Sequence, residues 1–357
     1  MKLLAVLHSP AGSGSATTIL RIAGHLRKAG HSVLLAPDPG DPEALAALAH
    51  SHDIDMLIGT HALICAASFS ATGLPYVIVF GGTDLNEYAL DPEALATMTH
   101  TVDRAAALVA FNADFVRRCL KLWPHVRERL HHIPQGVETR PERDFSMRRW
   151  LGLPPESELL LLPSGLRPVK DPLMLVDCVR RWHEADPRIH LIIAGLSYDA
   201  EFEGIVRRRC SAGPGVRYVG PLPRGLLHAA MRESTAVLNT SLSECSPNAV
   251  LEAMRLHCPV VVRDIPGNTC LVRHGETGLV FDRPEEFRDH VQRLIDDPRL
   301  RAELGREAAK CALAAHGPRV EYTAYASVFD ALAKKRSAPP YGRASTPPLV
   351  AQPVGGG

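Results

Sequence analysis

The sequence predicts an α/β protein of two domains, each built on a parallel sheet of the nucleotide-binding type, with the two sheets facing a cleft. Three observations carry this. Short apolar runs alternate with helical segments through residues 3–122 and again through residues 158–334. In each half a glycine-rich or basic loop follows a strand, at the end of the sheet where ligands gather. At 357 residues the chain also exceeds the ~250–300 at which a single core stops growing.

In the first half, residues 3–7 form a short apolar strand. His8-Ser9-Pro10-Ala11-Gly12-Ser13-Gly14-Ser15 follows, and then a helix that ends before Gly30. Glycines admit a ligand close to the backbone, and amides at a helix start favour an anion. The loop lacks the ending of a P-loop, and Thr17 stands where a dinucleotide fingerprint has its third glycine, so a plain turn remains an equal reading. Strands at 31–35, 55–59 and 75–80 and a helix at 41–51 come next. The strand at 75–80 runs into Gly81-Gly82-Thr83-Asp84-Leu85-Asn86-Glu87, where Asp84 either holds a hydroxyl or caps the next helix. A strand at 107–111 and a helix at 114–122 complete the half. His131-His132 has no third ligand at metal spacing and reads as a surface or linker pair.

Residues 133–157 shift to proline and charge, as a linker does. The alternation then restarts with a strand at 158–162 and the loop Pro163-Ser164-Gly165-Leu166-Arg167-Pro168-Val169-Lys170. Asp171 and Pro172 suit the N-cap and first position of a helix reaching about residue 184. Two cations at the positive end of a helix dipole are unfavourable by tenths to ~1 kcal/mol each unless an anion joins them. Arg167 and Lys170 therefore read as anion ligands, with a solvated loop pair as the plainer alternative. Further strands lie at 189–195, with Gly195 opening the exit loop, at 216–220 after a solvated arginine-rich helix, at 235–239 and at 259–263. A turn at Ile265-Pro266-Gly267-Asn268 and a hairpin-like turn with a short strand at 275–281 follow, then helices at 284–314 and 318–334. The tail from about residue 335 is proline, glycine and small residues, and is expected to be disordered.

Within this half, Ser241-Leu242-Ser243-Glu244-Cys245-Ser246-Pro247-Asn248 leads into a helix whose apolar stripe of Val250, Leu251 and Met254 is interrupted by Glu252. Glu244 sits just before that helix. Glu252 reads either as a solvated partner of Arg255 or as a ligand-binding carboxylate.

Composition narrows the function. Lys plus Arg (40) nearly cancels Asp plus Glu (39), so nothing points to nucleic acid. The eight cysteines have no Cys-x-x-Cys spacing, which fits thiols in a reducing compartment. The first apolar run is shorter than the ~7–15 residues of a signal-peptide core, and none approaches the ~20 of a membrane span. The expectation is a cytoplasmic protein, with peripheral contact to a membrane left open.

The two glutamates with seven residues between them, the Arg167-x-x-Lys170 loop, Ile133-Pro134-Gln135-Gly136-Val137 and Gly275-x-Thr277-Gly278-Leu279 together resemble retaining glycosyltransferases of the GT-B fold, family 4. The resemblance runs over about residues 1–334. Parts of the stretches 81–87, 165–173 and 265–268 also resemble bacterial selenosugar synthases. The resemblance implies two Rossmann-like domains, 1–144 on the acceptor side, completed by the helix at about 318–334, and 157–317 binding a nucleotide-diphosphate sugar. It implies no cofactor and no metal: Arg167 and Lys170 would bind the donor's diphosphate, with Gly12 and Gly14 closing over it. Glu252 would hold ribose hydroxyls, and Glu244 with the amides of Ser246 and Asn248 would orient the sugar, with Gly195 in the donor site. Transfer with retention at the anomeric carbon follows, to an acceptor the motifs do not name.

Two departures stand out. Many members carry a histidine where the 75–80 strand ends, and here Gly81-Gly82-Thr83-Asp84 stands there, making Asp84 the first substitute, with His8 and His61 behind it. Cys245 replaces the usual glycine after the first glutamate. These departures motivate a second reading, a catalytically weak nucleotide-sugar-binding protein. A third is another GT-B enzyme, such as a sugar epimerase.

Overall fold

The computed structural model describes residues 1–10 and 13–337. Its first half runs β1 (Lys2–Leu7), α1 (Gly14–Lys28), β2 (Ser32–Pro37), α2 (Pro42–Ser51), β3 (Met56–Thr60), α3 (Ala62–Thr72), β4 (Tyr76–Val79), α4 (Gly82–Asn86), α5 (Pro92–Arg104), β5 (Ala107–Ala110), α6 (Ala113–Leu122) and β6 (Leu130–His132). The strands form one sheet in the order β2-β1-β3-β4-β5-β6, every neighbouring pair parallel.

After α7 (Met147–Leu151), the second half runs β7 (Glu158–Pro163), α8 (Val176–Ala185), β8 (Ile189–Ala194), α9 (Ala200–Ser211), β9 (Val216–Tyr218), α10 (Arg224–Glu233), β10 (Ala236–Asn239), α11 (Asn248–Arg255), β11 (Val260–Arg263), α12 (Pro266–Thr269) and β12 (Leu279–Phe281). Its sheet is also all-parallel, in the order β12-β11-β10-β7-β8-β9. The chain closes with α13 (Pro284–Asp296), α14 (Pro298–His316) and α15 (Pro318–Ser337). Parallel strands buried on both faces need continuous apolar runs, and β3, β4, β5, β8 and β10 are buried at every position.

The last helix crosses back. Tyr325, Val328 and Phe329 of α15 join the core of the first sheet. A buried ion cluster fastens α15 to α1: Arg21 donates to both Glu321 oxygens (2.6 and 3.1 Å), and His25 Nε2 donates to Oε2 at 2.9 Å. The strap from Ile133 to Val137 lies over this cluster. A Cβ on Gly136 would stand 2.4 Å from Glu321 Oε2, while His316 donates from Nδ1 to the Gln135 carbonyl at 2.8 Å.

Several elements differ from the sequence reading. Asp171 does not cap a helix. Pro168–Lys170 forms a 3₁₀ turn, Asp171 is left-handed (φ 42°), and its carboxylate takes Arg263 at 3.0 Å, so α8 starts only at Val176. The single helix expected over 284–314 is two, because Asp297 accepts from the amides of Arg299 and Leu300 and restarts the chain at Pro298. Within the stretch 81–87, Gly82–Asn86 is helical, as α4, rather than a loop. His131 and His132 sit in edge strand β6, half-buried and exposed respectively, so the surface reading holds and the linker one does not. Of the expected tail, α15 takes up the chain as far as Ser337, and the rest lies outside the described residues. All eight cysteines are free, and five of them are buried. Among the described residues no helix is long and apolar enough to cross a membrane.

Candidate active site

The carboxyl ends of the two sheets border one cleft of about 730 Å³. The loop after β10 lies at its centre. Glu244 Oε1 accepts three hydrogen bonds: from Lys170 Nζ at 2.7 Å, Ser241 Oγ at 2.8 Å and Asn239 Nδ2 at 3.2 Å. Burial works to raise its pKa. The Lys170 ammonium and these hydrogen bonds outweigh burial and hold the carboxyl below its ordinary value.

Behind it, Asn268 Nδ2 donates to Asn239 Oδ1 at 3.1 Å, so the Ile265-Pro266-Gly267-Asn268 turn orients the residue that orients Glu244. Gly267 is required there because a Cβ would lie 2.2 Å from the Glu244 carbonyl oxygen.

Arg167 and Lys170, paired in sequence, have different surroundings. Lys170 is committed to Glu244. Arg167 has no carboxylate partner among the described residues; its guanidinium lies over the Tyr198 ring, 5.6 Å from the centroid, and its Nε is buried without a hydrogen bond. Both line the cleft. Helix α11 starts at Asn248 without a side-chain cap, and the amides of Ser246 and Asn248 find no acceptor among the described residues. A cation and two amides thus offer donors without acceptors, the setting that favours an anion.

Glu252 lies in α11 at the same cleft, 6% exposed, which removes the solvated reading. Its partner is not Arg255 but Arg224 at the start of α10, whose Nε and Nη2 donate to Oε1 at 3.1 and 2.9 Å; His228 Nε2 lies 3.5 Å from Oε2. Gly195 also lines the cleft. Its amide is spent on the Gly220 carbonyl at 3.0 Å, and a Cβ would stand 2.0 Å from the Ser164 carbonyl oxygen, so it lets two exit loops cross.

From the first domain, Gly14 opens α1 at the cleft and its carbonyl accepts from Asn248 Nδ2 at 3.4 Å. Gly12 lies outside the described residues. Asn86, Asn112 and Gln135 donate to the carbonyls of Glu244 (3.3 Å), Cys245 (2.8 Å) and Ser246 (3.1 Å). The Cys245 side chain packs into the first domain's core, where burial pushes its thiol pKa well up. The central loop is therefore clasped from across the cleft.

Asp84 does not reach the cleft. It is fully buried, its Oδ2 accepts from the Gly81 amide at 2.9 Å, and it closes the first turn of α4, so the capping role is the one it has. Arg224, Tyr198 and Asn239 escaped the sequence reading, and Gln135 stood there only within the 133–137 motif, without a role. Arg224 carried a signal: a cation on the first residue of a helix, the same sign conflict that marked Arg167.

The chain belongs to the glycosyl transferases group 1 family, whose profile matches residues 145–311. It is 33% identical over 344 residues to glycosyltransferase 1 domain-containing protein 1 of Xenopus tropicalis, covering 92% of this chain and 97% of that relative. A D-inositol 3-phosphate glycosyltransferase of Acidothermus cellulolyticus is 31% identical over 251 residues, 66% of this chain and 56% of that protein. The fold is GT-B. Anabaena HepE, solved with UDP-glucose, superposes with a TM-score of 0.76 at 16% identity over 94% of this chain and all of its own. The sucrose-phosphate synthase of Thermosynechococcus elongatus superposes at 0.73 and 16%, over 94% of this chain and 98% of its own.

Proposed function

We propose that this protein is a retaining glycosyltransferase of family 4 that moves a sugar from a nucleoside diphosphate sugar to an acceptor without a metal ion. The observation that carries it is the set of donors at one cleft that are unmatched among the described residues: the Arg167 guanidinium without a carboxylate, and the α11 amides of Ser246 and Asn248 without acceptors. A diphosphate supplies what they lack. HepE, which shares this fold, was solved with UDP-glucose.

In this reading Arg167, Lys170 and the α11 start neutralise the charge that grows on the departing diphosphate, the work otherwise done by a cation from solution. Gly14, at the start of α1, closes over the diphosphate. Glu244, pinned by Lys170, orients the sugar hydroxyls, and Glu252, held by Arg224, takes the ribose. Gly195 keeps the exit loops close enough to shape the donor pocket.

The test is consumption of UDP-, GDP- and ADP-glucose in the presence of EDTA, with the anomeric configuration of the released sugar followed by NMR. At least one donor should be consumed, giving first the anomer of the donor's own configuration. Glu244→Ala should fall at least a hundredfold. Consumption of none of the donors, or equal rates for wild type and Glu244→Ala, would overturn the reading.

A further inference from the structure

The reacting end of the cleft has a first-domain face as well as the Glu244 face. Of its ionisable side chains, His8, His61, Glu87 and Tyr88 line the cleft. His8 is spoken for at both ring nitrogens: Nδ1 lies 2.7 Å from Asp38 Oδ2 and Nε2 3.1 Å from Cys65 Sγ, with 1% of its side chain exposed.

His61 is different. It follows β3, just before α3, at φ 69°, a left-handed conformation that a histidine adopts only at a cost, which the surrounding structure must supply. Its Nδ1 lies 3.0 Å from Thr83 Oγ1 and 3.6 Å from Asp84 Oδ2. Its Nε2 has no partner among the described residues and is not sealed off. The ring lies across Gly81: a Cβ there would come within 1.9 Å of Cε1 and 2.4 Å of Nε2. Asp84, fully buried behind the pair, has one oxygen without a hydrogen bond among the described residues.

We propose that His61 Nε2 binds a hydroxyl of the transferred sugar opposite Glu244, with Asp84 as the positioning residue and Gly81 as the gap that admits the ring. The proposal rests on the donor reading above. Four observations make one device: a strained backbone aims the ring, a hydroxyl and a buried carboxylate hold Nδ1, a glycine clears its path, and Nε2 is left for a ligand. Gly82 places this wall beside the Glu244 loop, since a Cβ there would touch the Cys245 amide nitrogen at 3.5 Å.

The experiment measures hydrolysis of UDP-, GDP- and ADP-glucose and the affinity of free UDP, GDP and ADP in wild type, His61→Ala, His61→Gln and the double variant His61→Ala/Gly81→His. In His61→Ala, kcat/KM for the donor that the wild type hydrolyses should fall more than tenfold, with nucleoside diphosphate affinity within twofold of native. His61→Gln, which keeps an N–H, should retain more than His61→Ala. The double variant, which returns an imidazole to the vacated space, should regain part of the loss. Gly81→His alone should lower the melting temperature, because two rings would share one space. Native hydrolysis in His61→Ala, or an equal loss of nucleotide affinity, would overturn the assignment of His61. A wild type that hydrolyses none of the three donors would overturn the donor reading on which it rests.

Discussion

At the scale of single residues, the site depends on which charges are already matched. Lys170 is ion-paired with Glu244 at 2.7 Å, whereas Arg167 has no carboxylate partner among the described residues. Arg167→Ala should therefore cost most in binding an anion and least in stability. A charge-assisted hydrogen bond is worth ~1.5–3 kcal/mol, so kcat/KM for the donor should fall roughly 10- to 150-fold, with the melting temperature nearly unchanged. Steady-state kinetics alongside a thermal melt check this. Gly267→Ala makes the complementary case: its methyl would collide with the Glu244 carbonyl, so activity should fall at least tenfold although the substitution touches no ligand. The charged residues at strand ends were legible in the sequence because chemistry and position coincide in them. Tyr198 and Arg224 were not, because each acts from a different element on a partner distant in the chain, and Asn239 was not, because its orientation towards the nearby Glu244 is set by Asn268 from another element. Asp84 misled for the opposite reason: its place after a strand suited a ligand, and its side chain turned back to a backbone amide.

At the scale of elements, α15 carries the clearest energetic signature. Burial works to raise the Glu321 pKa, but the hydrogen bond from His25 and the Arg21 guanidinium outweigh it, taking the carboxyl from an ordinary 4.5 to about 2. The folded value lies below the unfolded one, so this stabilisation is complete above about pH 4.5 and is lost as pH falls towards 2. Glu321→Ala should lower stability at pH 7 by about 3–5 kcal/mol, the cost of stranding a buried partner. The gap between variant and wild type should then narrow between pH 4.5 and 2 in chemical denaturation. The element boundaries that sequence missed share a cause. Asp171 and Asp297 both precede proline, yet Asp297 caps a helix while Asp171 answers Arg263, and only the tertiary partner distinguishes them.

At the scale of the molecule, two all-parallel sheets with opposed carboxyl ends were legible because alternation and apolar runs are properties of each half alone. The clasp between them was not. Asn86, Asn112 and Gln135 hold the Glu244 loop through its carbonyls, which any residue type would present. In the proposed function this clasped loop, with Arg167, receives a nucleoside diphosphate. The most direct measurement is a thermal-shift titration of wild type and Arg167→Ala with UDP, GDP and ADP. One nucleotide should stabilise the wild type, by ~2.7 kcal/mol at 100 times its dissociation constant, and stabilise Arg167→Ala clearly less at the same concentration. No shift with any of the three, or an identical shift in the variant, would contradict the account.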